Sequence, residues 1–185
     1  PVRVLFRPLP RGVVPITVNA TAPEFSRHAD QDALVEAARA RFVDVVTAAQ
    51  TDDGMARVAV TGGGAGIGLL AALAADSGDV DWGRIMIFFG DERFVPEESP
   101  DRNVGQAREA LFDHVDIPES YIFPIAPSGG AYLEDPVCAA DAYADILAMH
   151  APDGFDLHLL GMGPEGHVNS LFPGTPAIAE TERTV

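Results

Sequence analysis

An α/β fold, with a mostly parallel sheet in one layer and helices on both of its faces, is what this 185-residue chain predicts, and three features predict it. Short β-rich apolar runs alternate with longer segments of helical period. Three of those runs stop abruptly at glycine, at Gly62, Gly90 and Gly161. The run at 84–89 is continuously apolar after Arg84 rather than alternating, as a strand buried on both faces requires.

Composition narrows the possibilities. Hydrophobic residues make up 47% and charged residues 22%, the balance of a soluble globular domain, and the length suits one domain with a real core. The formal charge is −16, and all twelve basic residues are arginine. So acidic a surface repels nucleic-acid backbones and anionic lipid, so neither is an expected partner. Any anionic substrate must be held by a few placed arginines and by backbone amides.

Without lysine, neither a Walker A phosphate loop nor a pyridoxal Schiff base can form. The single cysteine, Cys138, excludes an internal disulfide and a cysteine zinc cluster, and its alanine-rich surroundings predict a small packed residue. No apolar run approaches the about 18 residues of a membrane span, and no leader pattern opens the chain. The expected location is the cytoplasm.

In chain order, residues 1–15 hold four prolines and three arginines without a period and read as an irregular arm. Residues 16–18 suit a short edge strand, opening a single α/β domain over 16–185. Over 24–49 the positions Leu34, Ala37, Ala38, Phe42, Val45, Val46 and Ala49 lie on one helical face. A turn at 51–54 leads to a strand at 57–61, which runs into Gly62, Gly63, Gly64, Ala65, Gly66, Ile67 and Gly68. An apolar helix is predicted to follow at 69–75.

Strand, glycine loop and helix make a phosphate-cradle layout, though not a dinucleotide fingerprint, because the spacing of G-x-G-x-x-G is not met. A glycine-rich turn without a ligand fits the same residues. The strand at 84–89 ends in Gly90, Asp91, Glu92 and Arg93. Charges at a strand end are costly to bury unless paired or functional, and a solvated loop fits the tripeptide alone.

Residues 101–112 read as a helix with Val104, Ala107, Ala110 and Leu111 inward, closed by Ile117-Pro118. A short strand at 121–124, a loop at 127–130 and an amphipathic helix at 135–149, with proline in its first turn, come next. The apolar run 157–160 predicts a last strand, on which His158 alternates with Leu157 and Leu159 and reads as a core histidine.

Beyond that strand, Gly161, Gly163 and Gly166 permit close backbone approach, Pro164 stiffens the loop, and Glu165 and His167 fall where open α/β sheets bind ligands. A tight turn with a solvated histidine fits the spacing as well. No G-x-S-x-G elbow and no H-E-x-x-H occurs, so neither an acyl-serine route nor a metal is called for, and no cofactor is expected. The economical role for His167 is general acid/base, with Glu165 orienting the imidazole, because histidine ordinarily titrates near neutrality.

Two stretches then carry a resemblance. Phe88-Phe89-Gly90-Asp91-Glu92-Arg93-Phe94-Val95-Pro96, paired with Gly161-Met162-Gly163-Pro164-Glu165-Gly166-His167-Val168-Asn169-Ser170-Leu171-Phe172-Pro173, resembles the 6-phosphogluconolactonases. The similarity runs from about Ile16 to the last residue and takes in the glycine loop. It implies a Rossmann-like three-layer fold and metal-free hydrolysis of the δ-lactone of 6-phosphogluconate in the pentose phosphate pathway.

In that resemblance His167 matches the family's water-activating base and Glu165 a carboxylate that is often aspartate. Arg93 matches an arginine at the sugar-phosphate site, and Asn103 an asparagine after the same motif. Gly62, Gly63, Gly64, Asp91, Gly163 and Ser170 complete the expected substrate-binding set. Where the family usually has a hydroxyl residue in the glycine loop, Gly64 and Ala65 offer backbone amides only.

The resemblance also implies a longer natural polypeptide, with further basic residues for the phosphate and the last strands and helix. Residues 181–185 read as the start of such a strand. The related glucosamine-6-phosphate deaminases share the G-x-G-x-x-G-H frame but follow it with Ile-Ala-Phe-Asn-Glu-Pro, where this chain has Val168-Asn169-Ser170-Leu171-Phe172-Pro173. Deamination and sugar-phosphate binding without turnover are the two alternatives to the lactonase.

Overall fold

The computed structural model of the protein describes residues 24–52 and 54–185, so the expected arm at 1–15 and edge strand at 16–18 lie outside the described residues. Helices α1 (Gln31–Asp52), α2 (Gly63–Ala75), α3 (Asn103–Ala110) and α4 (Pro136–His150) alternate with strands β1 (Ala56–Val60), β2 (Ile85–Phe89), β3 (Ile122–Phe123) and β4 (Leu157–His158). The strands form one sheet in the order β3-β2-β1-β4. Every pair is parallel, with Val60 opposite Phe89, Ala59 opposite His158 and Phe88 opposite Phe123.

Side chains on a strand point alternately to its two faces, and here the alternation sorts them into two cores. Val58, Val60, Ile85, Ile87 and Phe89 pack with Phe42 and Val46 of α1, Leu69, Leu70 and Leu73 of α2, and Val104 and Ala107 of α3. Ala59 and Phe88 pack on the opposite face with Ile146 and Leu147 of α4. The result is the three-layer arrangement that the alternation of runs predicts.

Burying a Leu, Ile, Val or Phe side chain contributes about 1.5–3 kcal/mol, so the first cluster supplies most of the cohesion. One polar cross-link runs through it. Buried Gln50 donates to the carbonyls of Asp81 and Arg84 and accepts from the amide of Asp81, tying the end of α1 to the approach of β2.

The chain order places the site. From β1 the chain steps outward to β2 and β3, then returns through α4 to lay β4 on the other side of β1. The direction of winding therefore reverses between β1 and β4. A crevice opens at such a switch point, beyond the carboxyl ends of the strands. There the loops after Val60, Phe89 and His158 converge.

Several elements differ from the sequence expectation. Helix α2 starts at Gly63, within the glycine run, six residues before the expected 69. The glycines that suggested a loop are tolerated because Gly66 lies against the Thr61 carbonyl, where a β-carbon would fall 2.5 Å from the oxygen. Strand β4 covers two residues rather than four, and α3 runs 103–110 rather than 101–112. Helix α1 continues to Asp52, into the expected turn.

His158 is exposed, not a core residue, because β4 is an edge of the sheet among the described residues. Cys138 is exposed as well, its thiol 3.3 Å from the Asp135 carboxylate at the start of α4. Asp135 caps that helix by accepting from the amides of Val137 and Cys138, with Pro136 in the first turn as expected. Residues 181–185 form no strand; they follow a short 3-10 turn at Pro176–Ala179.

Candidate active site

The loop after β4 is built around its histidine. Gly163 donates its amide to the His167 carbonyl (2.9 Å), Gly166 donates to the Gly163 carbonyl (3.0 Å), and Asn169 donates to the Gly161 carbonyl (2.9 Å). Gly166 adopts φ +88° and Asn169 φ +49°, both in the left-handed region that glycine and asparagine tolerate. The chain thereby reverses tightly enough to lay the imidazole on the α-carbon of Gly163. Any β-carbon there would fall 2.0 Å from the ring.

Phe172 stacks on the His167 ring, centroid to centroid at 4.4 Å. Glu165 brings a carboxylate oxygen to 3.3 Å from Nδ1, off the line of a hydrogen bond, so that buried Nδ1 carries none. A ring held against Gly163 and Phe172, with a carboxylate beside Nδ1, is suited to exchanging a proton through Nε2.

The remaining expected residues form a second group, distant in sequence and joined to the histidine loop through Asn169 and Ser170. Ser170 donates to a carboxylate oxygen of Asp91 (2.7 Å), linking the loop after β4 to that after β2. Asn103, in the first turn of α3, donates to the Asp91 carbonyl (3.0 Å). Its carboxamide lies on Gly62, where a β-carbon would sit 2.1 Å from Oδ1, so the loop after β1 joins the group too.

Arg93 is exposed and reaches back to the Asp101 carbonyl (3.0 Å). Gly63 takes φ +78°, and Gly62 caps α2 without a side-chain oxygen. The first amides of that helix are therefore not taken up by a capping side chain, and they carry the partial positive charge of a helix N-terminus.

A cavity of about 630 Å³ adjoins this region and is lined by Asp91, Arg93 and Ser170 of the expected set, with Asn169, His158 and Leu160 among others. His167, Glu165, Asn103, Gly163 and the glycines at 62–64 do not line it. The structure thus brings the expected residues to one end of the sheet without gathering them round a single hollow.

Four residues were missed by sequence reasoning. Asn169 accepts at one oxygen from the Gly161 amide (3.0 Å) and from the Thr61 hydroxyl (3.2 Å), pinning the histidine loop to the end of β1. The Asn–Ser step two residues past the histidine was the available signal. Tyr143 accepts from the Phe89 amide (2.8 Å) and lies 3.2 Å from the Phe123 carbonyl, supporting β2 just before Gly90. Burial pushes its hydroxyl up to about 12.

His158, read as core, instead stands at the cavity with Phe155 edge-on to its ring. Partial desolvation holds its imidazole below the usual histidine range even though the residue as a whole is exposed. Glu92, to which the sequence pattern gives no separate role, is 1% exposed at its side chain.

Comparison with known proteins places this geometry. The family model for glucosamine-6-phosphate isomerases/6-phosphogluconolactonase matches residues 29–185. The 6-phosphogluconolactonase of Mycobacterium tuberculosis is 48% identical over 161 residues, which span 84% of this chain and 65% of that protein. That of Streptomyces coelicolor is 45% identical over 172 residues, 88% of this chain and 66% of the other. The chain thus spans about 65% of the length of the curated relatives it matches.

Among solved structures, the 6-phosphogluconolactonase from Trypanosoma brucei aligns with TM-score 0.73 at 30% identity, over 90% of this chain and 69% of that one. A monomeric glucosamine-6-phosphate deaminase, at 21% identity and TM-score 0.66 over 79% of this chain and 58% of its own, shares the fold. With its winding reversal, its three converging loops and a family match over residues 29–185, the chain belongs to the glucosamine-6-phosphate isomerase and 6-phosphogluconolactonase family.

Proposed function

We propose that the chain carries the catalytic loop of a 6-phosphogluconolactonase, which hydrolyses 6-phospho-D-glucono-1,5-lactone to 6-phosphogluconate in the pentose phosphate pathway. The observation that carries this reading is the His167 imidazole held against Gly163 and Phe172 with Glu165 beside Nδ1. The similarity to lactonases at 45–48% identity supports it.

In this reading Nε2 of His167 takes a proton from water, and the resulting hydroxide adds to the lactone carbonyl carbon. The tetrahedral intermediate collapses by breaking the bond to the ring oxygen. That oxygen leaves as the sugar's C5 hydroxyl after taking a proton, with imidazolium as the donor at hand. Glu165, beside Nδ1, orients the imidazole. No metal, cofactor or covalent intermediate enters the step.

Arg93, Asn103, Asp91 and Ser170 hold the sugar-phosphate, together with Gly163 and the backbone of Gly62, Gly63 and Gly64 at the start of α2. Few cations are available in so acidic a chain, and a phosphate on a helix N-terminus needs fewer of them. Among the described residues no helix is long and apolar enough to cross a membrane. We place the enzyme in the cytoplasm, acting on a small phosphorylated lactone and not on nucleic acid or lipid.

The test is a coupled assay with freshly generated 6-phosphogluconolactone on the full-length protein. A rate above spontaneous hydrolysis is expected; none would overturn the reading. Ammonia release from glucosamine 6-phosphate would point to the deaminases instead, and affinity for 6-phosphogluconate without turnover to a binding protein.

A further inference from the structure

Burying a carboxylate and a guanidinium together is weak support for stability, since apolar residues of similar size commonly do as well. Such a pair lies at the entrance to α3. The side chains of Glu92 and Arg102 are 1% and 2% exposed, with Arg102 Nε 3.7 Å from Glu92 Oε2. The fit is not a closed one, because Nε and Nη1 of Arg102 have no hydrogen-bond partner. Its remaining nitrogen, Nη2, donates to the Ile125 carbonyl beyond β3 (2.6 Å).

What the carboxylate does is specific. Glu92 Oε1 accepts from the amides of Arg93 (2.8 Å) and Asn103 (2.7 Å), and Oε2 from the amide of Val104 (3.0 Å). Arg102, the residue that caps α3, supplies no side-chain bond to the helix. Glu92 therefore acts as a cap from outside, reaching from the end of β2 to the first turn of α3. Two of the three amides belong to the residues assigned to the sugar-phosphate, Arg93 and Asn103.

We propose that Glu92, backed by Arg102, is a positioning residue: it locks Arg93 to Asn103 and so sets affinity for the phosphorylated sugar rather than the chemistry at the carbonyl. This rests on the lactonase reading above. A residue that acts through Arg93 has a signature that a merely structural residue lacks. Its effect disappears once Arg93 is gone, because groups acting as a unit are not additive.

The experiment uses the full-length protein, 6-phosphogluconolactone, and a cycle of Glu92→Gln, Arg93→Ala and the double variant. Glutamine keeps the size but turns one accepting oxygen into a donor, so at least one amide bond is lost. Glu92→Gln is expected to raise KM about tenfold with kcat within about threefold of the parent. In the Arg93→Ala background it should add less than about twofold.

A fall in kcat at unchanged KM, effects that multiply independently, or a change in melting temperature alone would overturn the proposal. Should Glu92→Gln fail to fold, Glu92→Asp keeps the charge but, one methylene shorter, cannot span strand end and helix start. It is expected to show the same rise in KM. Failure of both variants to fold under conditions where the parent folds assigns Glu92 to stability and overturns the proposal too. A parent without a rate above spontaneous hydrolysis strikes the lactonase reading instead; calorimetry with 6-phosphogluconate then carries the same cycle, with about tenfold weaker binding expected for Glu92→Gln.

Discussion

The His167 imidazole rests on the α-carbon of Gly163, so that a β-carbon at position 163 would fall 2.0 Å from Cε1 and 2.4 Å from Nδ1. Gly163 is not in the left-handed region, so alanine there meets no backbone penalty. The three atoms its methyl would meet first all belong to the ring. Gly163→Ala is expected to keep the melting temperature within a few degrees while lowering turnover more than about tenfold, since a base displaced by an ångström loses its alignment. Unchanged turnover in a folded variant would show that the position of the ring is immaterial.

Gly62 offers a parallel test at the other end of the site. A β-carbon there would sit 2.1 Å from Asn103 Oδ1, while Asn103 donates to the Asp91 carbonyl. Gly62→Ala should turn the carboxamide away and break that bond, a loss of about 1 kcal/mol in stability. If Asn103 holds the sugar, KM rises while kcat is nearly kept. Steady-state kinetics beside a urea melt separate the two effects.

Tyr143 gives a pH prediction whose sign follows from its environment. Burial pushes its hydroxyl up to about 12, so the folded state keeps the proton that an unfolded chain releases near 10. The folded state binds more protons in that window, and stability therefore falls as pH rises from about 10 to about 12. The contribution lost is about 2–3 kcal/mol. Tyr143→Phe removes this slope and orphans the Phe89 amide, which costs about 1–3 kcal/mol at neutral pH. Urea midpoints measured at pH 9 and at pH 11.5 for both proteins check the two effects together.

Much of this was legible in the sequence, for identifiable reasons. The alternation of apolar runs with helical periods gave the layer order, and the glycines after three runs marked the strand ends that converge. Hydrophobic pattern does not report direction of winding, and so it missed that β4 lies at an edge and that His158 is exposed there. Nor did it separate Asp91, Glu92 and Arg93, adjacent charges with three different fates.

Asp91 faces Ser170, Glu92 turns inward to three amides, and Arg93 points out to solvent. Only the approach of α3, whose cap is remote in sequence, decides among them. The glycine run misled in the opposite sense. Glycines suggest loop, yet Gly64, Gly66 and Gly68 are helical, the second because α2 passes too close to Thr61 for any side chain.

The base itself is tested by His167→Asn, which keeps a polar side chain but removes the basic ring nitrogen. The buried Nδ1 makes no hydrogen bond to the described residues, so the substitution orphans no partner there, although it removes the stack on Phe172. General-base catalysis typically contributes about 10² to 10⁴-fold, and turnover is expected to fall by that range while KM changes little. Spontaneous lactone hydrolysis is subtracted from both rates before they are compared. Turnover within about threefold of the parent would remove His167 from the chemistry, because so small a loss lies far below the general-base range.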